Sequence, residues 1–164
     1  MTTKQLTVER FSILSARPFE EVLLGLEKGI GRPDMRALHK QMAEALSFAE
    51  FQKIIHGAVG GADLMEFLRL DLGDPLRKDP ASRAYKIVRI IAGNPLIMKQ
   101  MVEHVPDAGS YAPVTILVYE RHDGVHLSYD TMASFLASYG NRAALEVAEA
   151  LDRKVINLLT EAAG

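Results

Sequence analysis

The stretch from Asn94 to Asp130, NPLIMKQMVEHVPDAGSYAPVTILVYERHDGVHLSYD, constrains the fold more than any other part of the chain. It reads as a helix start, a helix, a loop, a strand, a tight turn and a second strand. Asn94 is a good N-cap, and Pro95 suits the first helical position because the N–H it lacks would be unpaired there anyway. Ile97, Met98, Met101, Val102 and Val105 fall on one side of that helix, which Pro106 and Gly109 end. Asp123-Gly124 predicts a type I′ hairpin turn, since both central residues need positive φ. A two-residue turn there predicts strands at about 112–121 and 125–130, pairing Arg121 with His126, Tyr119 with Ser128 and Val118 with Tyr129. Side chains alternate along a strand. Val114, Ile116, Val118, Leu127 and Tyr129 therefore share an apolar face. Thr115, Leu117, Tyr119, Arg121, His126, Ser128 and Asp130 share the other.

That second face has two readings. It is the solvent side of an antiparallel hairpin, polar by default. Alternatively, Tyr119, Arg121, His126 and Asp130 line a pocket or a dimer seam, with His126 as acid–base and Arg121 holding an anion.

The chain has 164 residues, the size of one domain, and can bury a sizeable core without staples. Its 48% hydrophobic and 24% charged residues are ordinary globular values. The 19 basic residues are scattered and the net charge is −2, which argues against a nucleic-acid footprint. There is no cysteine, so disulfides, thiolate nucleophiles and zinc–sulfur or iron–sulfur sites are excluded. The opening MTTKQLTVER has no apolar core of a signal peptide, and apolar runs such as Ile116–Tyr119 are far too short to span a membrane. The expectation is a cytoplasmic protein without a membrane or nucleic-acid partner.

Residues 5–14 alternate weakly and predict a first strand. Phe19, Val22, Leu23, Leu26 and Ile30 recur at helical spacing until Gly29, Gly31 and Pro33 stop them. Asp34 can cap a second helix with Met35, Leu38 and Met42. A third carries Phe48, Phe51, Ile54, Ile55 and Val59. Strands are predicted at 64–72 and 84–92, separated by a Gly/Pro/Asp-rich loop. MASFLASY reads as a short, possibly helical segment, and after Gly140-Asn141 a long helix buries Leu145, Ala148, Leu151, Val155, Leu158 and Leu159. This element order predicts an α+β fold, a two-layer arrangement of a mixed, largely antiparallel sheet with helices packed on one face. The whole chain, 1–164, is read as a single domain. A homodimer is the economical way to cover the other sheet face.

Other chemistry-bearing residues have bland explanations. His122 and His126 fall on opposite hairpin faces, and neither His39 nor His56 has a ligand partner at helical spacing, so no metal site is expected. Gly57–Gly61 lacks the Lys-Ser/Thr of a phosphate loop and follows a helix, so αL-tolerant helix termination is the better reading. No serine sits in a nucleophile elbow. Asp63, Glu66, Asp71 and Asp74 match no calcium loop and read as a solvated strand edge. The methionines are adaptable core fillers, with a Met-lined cavity for a lipid or aromatic molecule as the alternative.

Gly93-Asn94-Pro95, Ala112-Pro113-Val114 and Val118-Tyr119-Glu120, with Asp71-Leu72-Gly73 on the loop before them, resemble the motifs of the bacterial and archaeal family known as domain of unknown function 302. The resemblance covers residues 64–160 and, more loosely, 5–30, and it makes 33–60 a helical insertion. It implies a small α+β domain, commonly dimeric, with no established activity. Two positions where relatives often carry cysteine correspond to Gly93 and Val114, so thiol chemistry is unavailable to this chain. The expectation is a homodimeric small-ligand-binding or interaction protein without a cofactor. Its ligand, a small anionic or hydrophobic molecule, would sit between the sheet and the Asn94 helix start, near Asn94, Tyr119, Arg121, His126, Ser128 and Asp130. The competing expectation is an enzyme built on Tyr119, His126 and Asp130, and a third is a purely structural assembly role.

Overall fold

The computed structural model describes residue 1 and residues 3–164. Its centre is a six-stranded mixed sheet made by β1 (Arg10–Ser15), β2 (Ile30–Gly31), β3 (Leu64–Asp71), β4 (Ile87–Gly93), β5 (Val114–Arg121) and β6 (Gly124–Asp130), in the order β1-β6-β5-β4-β3-β2. Only the β2–β3 pair is parallel. The helices are α1 (Phe19–Gly29), α2 (Met35–Glu44), α3 (Phe48–Ala58), α4 (Asp74–Lys78), α5 (Pro95–Val102), α6 (Met132–Ala137) and α7 (Arg142–Ala163), with a 3-10 turn at Pro106–Ser110. The α+β class and the largely antiparallel sheet are as expected from sequence. The first strand is shorter than predicted, beginning at Arg10 where it gains β6 as partner.

Capping chemistry sets several helix starts. The Asp34 carboxylate accepts from Arg36 and Ala37 N–H at 2.9 and 3.0 Å, Ser47 Oγ from Glu50 N–H, and Asn141 Oδ1 from Ala144 N–H. Each satisfies donors that a first helical turn leaves unpaired. α3 does not end on left-handed glycine. Val59 is extended, and Gly60 is required by a close crossing, since a Cβ there would lie 2.4 Å from the Gly29 carbonyl oxygen.

Alternation along the strands divides the sheet. Val88, Ile90, Val114, Ile116, Val118, Leu127 and Tyr129 enter the main core beneath α1 and α7. Leu64 joins them, whereas its neighbour Met65 points to a second cluster with Leu38, Ile55 and Leu96 under the α2–α3 pair.

One polar group lies deep in this core. Asp152 of α7 is only 7% exposed and accepts from the Tyr129 hydroxyl at 2.5 Å, Met132 N–H at 2.8 Å and Ala133 N–H at 3.0 Å. It therefore caps α6 from a distance, where Thr131 supplies no side-chain cap. Burial and, after it, the adjacent carboxylate push the Tyr129 phenol well above its ordinary value. Asp152→Ala leaves the Tyr129 hydroxyl and Ala133 N–H without an acceptor and Met132 N–H with only its longer 3.2 Å bond to the phenol oxygen, and is expected to cost about 3 kcal/mol in urea denaturation. Asp152→Asn, which keeps one acceptor oxygen, is expected to lose less.

Candidate functional site

The predicted hairpin faces are correct, but the register is displaced. Arg121 pairs with Gly124, Tyr119 with His126, Val118 with Leu127 and Leu117 with Ser128. The turn residues are His122 and Asp123. Asp123 does not adopt positive φ, while Gly124 takes φ 136° as the first strand residue, so the type I′ turn is not formed. Each β5 residue meets a β6 residue two positions earlier than expected. An even slip keeps every side chain on its face.

The expected polar cluster consequently splits in two. At the turn end, the Tyr119 and His126 rings stack at 5.4 Å, the Arg121 guanidinium lies 5.0 Å from the Tyr119 ring centre, and His126 Nε2 donates to Asp123 at 2.9 Å. That hydrogen bond holds the Asp123 carboxyl below its usual range. At the far end, Asp130 accepts two bonds from the Arg10 guanidinium, at 2.6 and 2.8 Å. The intended triad of Tyr119, His126 and Asp130 is not assembled, because Arg10 takes Asp130 and Asp123 takes His126. Nothing in the hairpin alone signals Arg10, which arrives through the pairing of Arg10 with Asp130 across β1 and β6.

Ser128 and Asp130 border a groove of about 650 Å³ on the open sheet face. Its floor includes Ile91, Thr115 and Leu117, and Arg10 and Arg89 add charge. One wall is the 110–113 segment together with Phe135, whose ring stacks on Tyr111 at 4.7 Å and 6°.

Asn94 lies elsewhere, at the mouth of an apolar cavity of about 330 Å³ between the sheet and α5. Phe67, Ile97, Met98, Met101, Pro113 and Leu151 supply most of its lining. Asn94 is 5% exposed and fully engaged. Its Oδ1 accepts from Leu96 N–H at 2.8 Å, and its Nδ2 donates to the Asp63 carbonyl and carboxylate at 3.1 and 3.0 Å. The carboxylate of Asp63, a residue at φ 59°, is also bound by Lys154. Asn94 thus works as cap and brace, with no polar valence left over for an anion.

Both motif segments converge on this cavity. Gly93, Asn94 and Pro95 and, beside them across the β4–β5 pairing, Ala112, Pro113 and Val114 all line it. A Cβ on Gly93 would stand 3.2 Å from Pro113 Cβ and 3.4 Å from the Phe67 ring. Nothing in the sequence marks Phe67 as a site residue, because no local pattern brings its strand against α5. Among the described residues no three His, Asp or Glu side chains are grouped as metal ligands, and no helix is long and apolar enough to cross a membrane.

The Arg10 bond holds the Asp130 carboxyl below the ordinary carboxylate range. Its folded pKa is therefore lower than its unfolded value near 3.9. The bridge's contribution is complete above that value and is lost as pH falls through the folded pKa. Arg10→Gln is expected to move the Asp130 midpoint upward in a carboxyl ¹³C NMR titration.

Comparison with known proteins agrees with these motifs. The model of the family described as domain of unknown function DUF302 matches residues 38–162. A crystal structure of an uncharacterised conserved DUF302 protein from Bacillus stearothermophilus is similar in fold. It superposes with a TM-score of 0.64 at 10% sequence identity, covering 93% of this chain and 97% of that one. No curated protein matches. With its two motif segments side by side in the lining of one cavity and the family model spanning most of its length, this chain belongs to the DUF302 family.

Proposed function

We propose that the protein binds a small apolar ligand in the cavity between the sheet and α5, and that it works as a homodimer. The convergence of Gly93-Asn94-Pro95 and Ala112-Pro113-Val114 on one apolar space carries the ligand reading. Protein interiors are normally filled to crystal-like density, and binding sites are the usual exception. The lining favours the hydrophobic over the anionic ligand, because Asn94 is saturated and the sulfur and aromatic groups of Met98, Met101 and Phe67 suit a flat, polarisable molecule. The enzyme alternative has lost its carboxylate to Arg10.

Naphthalene and indole serve as probes. Each is expected to raise the melting temperature of the wild-type protein in proportion to occupancy. Gly109→Leu fills the cavity from a position where a Cβ would meet only Val102, at 3.9 Å. This variant should keep its circular dichroism spectrum and lose the ligand-dependent rise. An equal rise in both proteins would sink the reading.

The homodimer is supported by the outer side of β3. Its partner β2 pairs only with Leu64 and Met65, leaving Glu66–Asp71 as an open edge. Leu68 and Leu70 beside that edge are 50% and 36% exposed. Unprotected edges with apolar side chains invite strand pairing with another chain, and a twofold-related copy offers the same edge in return. Leu68→Lys combined with Leu70→Lys is expected to convert a dimer into a monomer in sedimentation velocity. A wild-type protein that sediments as a monomer would remove the dimer from the reading.

A further inference from the structure

We propose that the open-face groove is a second ligand site, one that takes a small organic carboxylate with an apolar body. It is distinct from the α5 cavity and does not depend on ligand binding there.

Three features of the groove define the chemistry. Arg89 of β4 has no carboxylate partner among the described residues, and its one side-chain bond is a long 3.4 Å contact to Thr115 Oγ1. Asp130, the acidic group on the same face, is already neutralised by both arms of Arg10. The groove therefore retains one uncompensated positive charge, which matches a monoanion better than a phosphate dianion or an ammonium. A guanidinium also presents a planar donor fork that fits a carboxylate.

Ser128 is the second feature. It is only 6% exposed, lines the groove and has no side-chain hydrogen bond among the described residues. Among the described residues the fully buried hydroxyl without a partner is that of Thr131, so the Ser128 hydroxyl keeps access to the groove and is free to meet a ligand there. Ser128 lies two strands from Arg89, in the same cross-strand row, with Leu117 between them. Adjacent strands are about 4.8 Å apart, so the two groups flank a slot roughly 10 Å wide.

The third feature is the material between and beside them. Ile91 and Leu117 form an apolar floor, and the stacked Tyr111 and Phe135 rings stand at the side. A bound acid would place its carboxylate against Arg89 and Thr115. Its body would cover Leu117 and Ile91, displacing water from apolar surface. A second polar group on the ligand would meet the Ser128 hydroxyl. Leu68 and Leu70 do not line the groove but pair with Ile91 and Arg89 at its β3 side.

The test is chemical-shift titration of the ¹⁵N-labelled full chain at neutral pH. The probes are benzoate and 3-phenylpropionate, with benzyl alcohol and inorganic phosphate as comparisons. The expected result is saturable shifts at Thr115, Leu117 and Ser128 with the aromatic acids. Binding should fall at least tenfold in Arg89→Gln and severalfold in Ser128→Ala. Arg89 is exposed, so its loss spares the core. Absence of saturable shifts with either acid would overturn the proposal, as would unchanged affinity in Arg89→Gln. Equal response to phosphate would reduce the groove to an adventitious anion site. Equal response to benzyl alcohol would make it merely apolar. Shifts confined to Ile97, Met98 and Met101 would assign the acids to the α5 cavity and also overturn it.

Discussion

The Asp152 carboxylate fixes more of this molecule than any other single group. A buried negative charge is tolerated only when donors surround it, and here a phenol and two backbone N–H groups do so. Those donors come from the end of β6 and the start of α6, while the acceptor sits in the middle of α7. The bond set therefore fixes where three elements meet. Leu151, the neighbour of Asp152, contributes to the α5 cavity, and Met132 and Phe135 of α6 contribute to the groove. Both candidate sites are walled by elements that this one carboxylate holds in position.

The two sites are also separated by very little protein. Ala112, Pro113 and Val114 line the apolar cavity on one side and the open-face groove on the other. The chemistry on the two sides differs because strand alternation sends unlike residues to the two faces of the sheet. The cavity has spent its polar groups on local structure, as Asn94 does between Leu96 and Asp63. The groove keeps Arg89 and Ser128 in reserve. The apolar ligand proposed for one and the charged one proposed for the other rest on that contrast.

Much of the fold was legible because local signals and periodicity agreed. The Asp34 and Asn94 caps, the long C-terminal helix and the apolar hairpin face all follow from residue type and spacing. The hairpin register did not follow, because Asp123-Gly124 matches a turn signal that the chain does not use. The error was harmless to the face assignment only because the slip was even. The pairing of β1 with β6 joins residues more than a hundred positions apart, and no local pattern encodes it. Arg10 and the fate of Asp130 were therefore invisible. Asp152 was hidden for another reason. A carboxylate within a charged helix reads as part of its solvated side until its neighbours in space are known.

Gly93 sets a consequence for selectivity. At that position a Cβ would stand 3.2 Å from Pro113 Cβ and 3.4 Å from the Phe67 ring, so a side chain fits only if these neighbours give by a few tenths of an ångström. The free space under α5 is consequently shaped by a missing side chain rather than by a specialised one. A side chain at that position would press on Pro113 and Phe67 and so change the size of that space from its rim. The girth of whatever the proposed cavity takes would thus be set at one backbone position rather than by a specialised side chain.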